Sequence, residues 1–229
     1  MTADRVRGLS IQLLHGLDLV KPISPPSWSV EVICSAYQRF GSLQVLIQSF
    51  LNQTDSNWKL HVLHDGPSGE FDCLAESYLH KFSNRLKFSS TKRRFDDYGH
   101  SLREIGLRES TGDYVLITND DNYYVPAFMR LMNLAIEQCS PDVIMYDMVH
   151  SHQFPGNRMQ ESYSFFSTAF MINSIDMGAA LVRGELARQS GFGDKNFAAD
   201  WDYFEGVSRA SPLEKIHLVK IPKILFVHN

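Results

Sequence analysis

The sequence predicts an α/β fold with a mostly parallel central sheet flanked by helices. Three observations carry this. Apolar, β-favouring runs alternate with helical spacings through the first half of the chain, the pattern of βαβ units. Polar residues collect just after the strands: Ser35 and Tyr37, then Asp65, then Asp120 and Asp121. In a parallel sheet these groups share the carboxyl edge, where open α/β sheets bind ligands. The chain also has the size of one domain, with 229 residues, 44% of them hydrophobic.

Taken in order, residues 1–27 read as a helical and linker extension. Val6, Leu9, Leu13, Leu17 and Val20 recur at helical spacing within Arg5–Val20, and Pro22, Pro25 and Pro26 make a stiff connector. Such a helix most often packs on its own domain; a homodimer contact and a peripheral membrane contact are the other readings. Trp28–Ser35 is the first strand, and Ser42–Leu51 a helix with Leu43, Leu46, Ile47 and Phe50 on one face. Trp58–Leu63 is the second strand, ending in an acid on a glycine-rich turn, His64-Asp65-Gly66. Phe71–Phe82 is a helix, Leu86–Ser89 a short strand, Thr91–Tyr98 a basic loop and Ser101–Ser110 a helix. The second half is less regular. Pro126–Cys139 reads as a helix, Asp142–Met148 as a strand, and His150 through Gln160 as an exposed loop. Tyr163–Phe170 reads as strand or floor, Met177–Val182 as a small apolar segment, and Gly184–Gln189 and Phe197–Arg209 as helices. Two short strands, Ile216–Val219 and Ile224–Val227, close the chain.

The organising stretch is Thr111–Asn122. A turn leads into the strand Tyr114–Thr118, which stops abruptly at Asn119-Asp120-Asp121. Adjacent carboxylates repel unless a cation or several donors sit between them. Oxygen-rich, imidazole-poor sets suit Mg2+ or Mn2+, which bridge protein carboxylates and substrate phosphates. Alone, the same residues would read as a turn capping the next helix. The convergence of three polar groups on one edge favours the ligand site.

Composition bounds the rest. A net charge of -4 carries no basic excess pointing to nucleic acid. Cys34, Cys73 and Cys139 are too scattered for a zinc or disulfide framework and fit a reducing, cytoplasmic setting. Gln12, His15, Gly16 and Asp18 interrupt Ser10–Val20, which argues against a secretory signal or membrane span.

Several short pieces then fall in a shared order: Ser35-Ala36-Tyr37-Gln38-Arg39, Phe50-Leu51-Asn52-Gln53-Thr54, His64-Asp65-Gly66, Thr111-Gly112-Asp113-Tyr114 and Asn119-Asp120-Asp121. Gly178-Ala179-Ala180-Leu181-Val182-Arg183, Gly191-Phe192 and Ala199-Asp200-Trp201-Asp202 continue them. From about Val30 onwards the chain resembles family 2 glycosyltransferases with the GT-A fold. The resemblance implies a domain over 28–229, with a nucleotide-binding half to about 124 and an acceptor half from about 125. It implies a metal-dependent, inverting transfer of sugar from a nucleoside diphosphate donor, uridine-based, to a glycan or other hydroxyl acceptor. Ser35, Tyr37, Arg39, Asp65 and Arg103 would hold the nucleotide, and Asn119 and Asp120 the ribose or the cation's shell. Asp121 would ligate the metal, with His228 completing its shell, and Asp200 would be the catalytic base.

Beside these stand plainer readings. An acid at a helix start is also a cap, which covers Asp200. Asp202, about 200° away around a helix, is the fallback base. Met177 and Gly178 line a sugar pocket or pack the core, and Trp201 stacks on a sugar or fills space. Asn119 and Ala199 stand where the family usually carries acids. These departures keep a non-catalytic sugar-nucleotide or glycan-binding module in view as the rival from another class. A nucleotidyltransferase would want more glycine in Ser35–Gly41, and a dehydrogenase a Gly-x-Gly-x-x-Gly after Cys34.

Overall fold

The computed structural model describes residues 9–17, 19, 26–154, 157–158, 163–192, 199–211 and 216–229. Its elements are β1 (Ile11–Leu13), β2 (Val30–Ala36), α1 (Phe40–Leu51), β3 (Lys59–His64), α2 (Gly69–Phe82), β4 (Leu86–Ser90), α3 (His100–Glu109), β5 (Tyr114–Asn119), β6 (Tyr123–Tyr124) and α4 (Phe128–Cys139). They continue with β7 (Val143–His150), β8 (His152–Phe154), β9 (Asn157–Arg158), β10 (Ser164–Phe166), a 3-10 turn (Met177–Ala179), β11 (Ala180–Arg183), α5 (Gly184–Ser190), α6 (Ala199–Ala210) and β12 (Leu218–His228).

One sheet runs in the order β1-β12-β7-β11-β5-β2-β3-β4, with β10 paired to β7 and β6 to β12. The expected parallel core is present: β5, β2, β3 and β4 are mutually parallel. β11 enters between β5 and β7 and runs antiparallel to both. Each central strand is sandwiched between two cores, so its residues sort by parity. Val32 and Cys34 join one core and Ile33 the other; Leu116 joins the first, Val115 and Ile117 the second.

The helices cover both faces. Ser68 caps α2 by accepting from the Phe71 N–H at 3.3 Å. α3 lies so close to β2 that a Cβ at Gly106 would come within 2.4 Å of Ile33 Cγ2. No described helix is long and apolar enough to cross a membrane.

Four expectations change. Within the helix read over Arg5–Val20, the described residues 9–17 and 19 form no helix, and Ile11–Leu13 are the edge strand β1, parallel to β12; the rest of that range lies outside the described residues. Its fit to one face fails because Leu14, not Leu13, is buried, and the Leu14 N–H donates to Lys220 O at 2.9 Å. Pairing a bare sheet edge outweighs a short apolar periodicity. The two closing strands are one, β12, with register irregularities between Ile221 and Phe226. Pro222, which lacks an N–H, falls in that irregular stretch and makes the break that reads as a gap. The loop expected after His150 carries the antiparallel pair β8–β9, flanking a Pro-Gly dipeptide, a turn signal in its own right. Tyr163–Phe170 resolves into strand β10 and a following loop. The expected helix start at Phe197 lies outside the described residues.

Candidate active site

The carboxyl ends of β2, β3 and β5 gather the expected groups. Ser35 Oγ, at the end of β2, donates to Asn119 Oδ1 at 3.1 Å, at the end of β5. The Tyr37 N–H donates to Asp120 Oδ2 at 2.9 Å. Gly99 packs against Ser35 with φ +83°; a Cβ there would stand 2.9 Å from Ser35 Cβ and Oγ. Only glycine accepts both that backbone and that contact.

Asp65 sits beside this group, where its N–H donates to Ala36 O at 3.0 Å. Its carboxylate clasps the basic loop, accepting from the Phe95 N–H at 2.8 Å and the Asp96 N–H at 3.0 Å. The loop in turn lays Arg94 over the Tyr37 ring, 4.0 Å from its centroid. Arg93, by contrast, is exposed and covers only Phe95, as a solvated loop residue would.

Asp120 is fully buried and Asp121 is 6% exposed. Burial, opposed by Arg39 and by the Tyr37 N–H, pushes the Asp120 carboxyl up to about 6. Arg39 bridges the two acids: one guanidinium nitrogen pairs with Asp121 Oδ2 and the other lies 2.5 Å from Asp120 Oδ1. The latter oxygen has no aligned hydrogen-bond donor. The Asn229 side-chain N–H donates to the Asp121 backbone O at 2.6 Å.

Arg103 is 5% exposed and links the strand end to α6. It donates to Asn119 Oδ1 at 2.7 Å, lies 2.9 Å from His100 Nδ1, and stands 3.9 Å from Asp200 Oδ1. Asp200 projects from the first turn of α6 with 36% of its side-chain surface open, in a recess rather than a sealed core. Burial raises its pKa; Arg103 opposes the rise, Asp176 adds to it, and the Met177 N–H and His228 oppose it. Asp202 is exposed. The 200° separation along the helix therefore decides in favour of Asp200 as the inward acid.

The remaining expected residues divide. The Met177 side chain packs in the core, 2% exposed, while its backbone N–H faces Asp200 and favours the charged carboxylate. Gly178 is sealed in the interior: a Cβ there would meet Phe226 Cζ at 2.7 Å and Tyr124 Oη at 3.0 Å. Core packing thus accounts for both positions. Trp201 is half-buried and packs edge-on to Phe170, with centroids 5.9 Å apart. His228 Nδ1 lies 3.6 Å from Asp176 Oδ2, with its ring stacked on Phe226.

Sequence reasoning missed three contributors. Asp176 accepts from the Gly178 N–H at 2.7 Å and faces both Asp200 and His228. Tyr124 and Tyr146 donate their hydroxyls to Gly178 O at 3.0 and 2.8 Å. Together they fix the turn that presents Met177 to Asp200. Nothing in their local sequence marks them.

The donor set suits a hard divalent cation. Asp120 and Asp121 supply oxygen, and a guanidinium already stands between them as the cation. Among the described residues no group of three or more His, Cys, Asp or Glu gathers as a metal cage. Volume alone would point elsewhere. A polar cleft of about 440 Å³, lined by Ser29, Asn57, Trp58, Lys59, Asn84 and Arg85, lies at the opposite edge of the sheet. It holds no acid.

Residues 31–184, more than half of the chain, match the family described as Glycosyl transferase family 2. Protein CgeD of Bacillus subtilis (strain 168) is 27% identical over 107 residues, 45% of this chain and 25% of that protein. An uncharacterized glycosyltransferase of Haemophilus influenzae is 24% identical over 109 residues, 48% of this chain and 35% of that one. The chain thus spans a quarter to about a third of these curated relatives. Among solved structures, the S. aureus TarS fragment in complex with UDP superposes with a TM-score of 0.68 at 18% identity, covering 88% of this chain and 60% of that one. Mannosyltransferase PcManGT from Pyrobaculum calidifontis, in complex with GDP-Man and Mn2+, gives 0.63 at 13% identity, covering 91% and 60%. At these identities the likeness speaks for the fold. The family match and the shared architecture agree: the chain belongs to glycosyl transferase family 2 and has the GT-A fold.

Proposed function

We propose that this chain transfers a sugar from a nucleoside diphosphate donor, uridine-based, to a hydroxyl of a glycan or other acceptor, with inversion and with a divalent cation. One observation carries the reading. Asp65, the Asp120–Asp121 pair, Arg103 and Asp200, far apart in sequence, are linked through Ala36, Tyr37 and Asn119 at the carboxyl edge of the sheet. The named ligands of the TarS and PcManGT structures are of the same donor class.

In this reading Tyr37 presents its ring to the base. The Asp65 carboxylate, clasped by two N–H groups, keeps lone pairs for a base N–H. Asn119 and Asp120 face the ribose, and Asp121 is the cation's protein ligand, with His228 nearby. When bound, Mg2+ or Mn2+ supplies Lewis-acid stabilisation to the departing diphosphate. Arg39 and Arg103 add charge-assisted donors to it. Asp200 takes the proton of the acceptor hydroxyl as its oxygen bonds to the anomeric carbon and the carbon–oxygen bond to the diphosphate breaks. Its raised pKa, set first by burial, makes it a stronger base than an ordinary carboxylate. The half-domain division near residue 124 belongs to this reading too: donor side before it, acceptor side after.

The test separates binding from chemistry. Asp200→Asn should bind UDP as the wild type does and lose transfer and donor hydrolysis by about 10²-fold or more. Asp121→Ala should lose the Mn2+ dependence of both. Native turnover in Asp200→Asn would remove Asp200 as base. A chain that binds UDP-sugars but never turns them over would instead be the non-catalytic module that Asn119 and Ala199 hint at.

A further inference from the structure

We propose that Arg39 is the resident counter-cation of the Asp120–Asp121 pair, and that it competes with the divalent cation for one seat. The inference rests on the metal-dependent reading above. Two adjacent carboxylates this deeply buried need neutralising, because a buried charge without a partner is strongly disfavoured. Arg39 does this with a fork, one nitrogen on each acid, and so occupies the Asp121 carboxylate that a cation would need. Among the described residues its side chain makes its polar contacts to these two acids alone.

The residue is also placed to leave. It sits on the turn between β2 and α1, directly after Gln38, whose φ is +54°, and its side chain is 40% exposed. A guanidinium at the rim of the site swings outward without unpacking the core. Displaced by a cation, it meets the diphosphate that the cation also binds. The same side chain thus neutralises the empty site and then grips the leaving group. Cation and donor become coupled: each helps the other evict Arg39 from the acids. The free protein is therefore a poor binder of Mn2+, and the nucleotide improves it.

Mn2+ binding to this chain, read by the loss of the free-ion EPR signal with and without UDP, tests this. Arg39→Ala should bind Mn2+ about 10- to 100-fold tighter than wild type in the absence of UDP, the usual span of such couplings. UDP should then tighten Mn2+ far less in the variant than in the wild type. Arg39→Gln, which keeps the side-chain bulk, guards against misfolding. Its melting temperature should rise more on Mn2+ addition than that of the wild type. Equal Mn2+ affinities in wild type and Arg39→Ala, both abolished by Asp121→Ala, would overturn the competition and leave the metal site standing. No Mn2+ binding in any variant, with or without UDP, would overturn both.

Discussion

Replacing Gly178 by alanine tests how the fold holds the base. The added methyl would stand 2.7 Å from Phe226 Cζ, 3.1 Å from Phe226 Cε2 and 3.0 Å from Tyr124 Oη. Ordinary contact needs about 3.5–4.0 Å, so the overlap approaches 1 Å. Neither ring can yield cheaply. Both are fully buried and they stack on each other at 5.1 Å. The turn Met177–Ala179 must shift instead, at about 1–3 kcal/mol for overpacking. That shift pulls Gly178 O from the Tyr124 and Tyr146 hydroxyls, and the Met177 N–H from Asp200. A misplacement of about 1 Å at a reacting group costs on the order of 10²-fold in rate. Gly178→Ala should therefore lose about 2 kcal/mol in urea denaturation and about 10²-fold in turnover, with UDP affinity near native. Gly41→Ala is the control, since a Cβ there meets nothing within 4 Å. Native stability and turnover in Gly178→Ala would refute the claim that this turn positions Asp200.

Two further predictions concern the nucleotide side and the acid response. Asp65→Ala breaks two charge-assisted bonds to the loop at Phe95 and Asp96 and should cost about 3 kcal/mol, with UDP affinity falling alongside; unchanged stability would mean that the clasp does not hold the loop. His61, lowered to about 4 chiefly by burial and then by Lys87, donates or accepts at Ser89 Oγ at 2.7 Å. Its unfolded value is near 6.5, so the unfolded chain takes up the proton first. Its contribution is complete above pH 6.5 and is lost as pH falls towards 4. The full span corresponds to about 3 kcal/mol, less whatever solvent at the half-buried ring screens. In His61→Gln the stability loss between pH 6.5 and 4 should shrink by roughly that amount; an identical pH profile in both proteins would contradict it.

Much of the architecture was legible because the physics is local. β2 and β5 read as strands because alternate residues face two apolar cores, and their abrupt polar endings mark the sheet edge. The polar strand endings single out Asp65, Asp120 and Asp121 as candidates, whereas Asp200, at a helix start, becomes one only through the family resemblance. What escaped is non-local. β1 exists only because β12 offers it an edge, which no periodicity in residues 5–20 reports. The bulge at Pro222 broke one strand into two apparent ones. At the site, Asp176, Tyr124 and Tyr146 matter through contacts across the fold, and nothing beside them in sequence announces it. Arg39 was expected on the nucleotide; its bridging of the two acids follows from how β2 and β5 end side by side.

The most direct measurement is the position of bound nucleotide in a crystal of this chain grown with UDP and Mn2+. The account predicts the uracil between Tyr37 and Asp65, the ion on Asp121, and the diphosphate facing Arg103 with Asp200 beyond it. Nucleotide found in the cleft formed by Trp58, Asn84 and Arg85, or well-ordered crystals in which UDP contacts none of the carboxyl-edge acids, would contradict it.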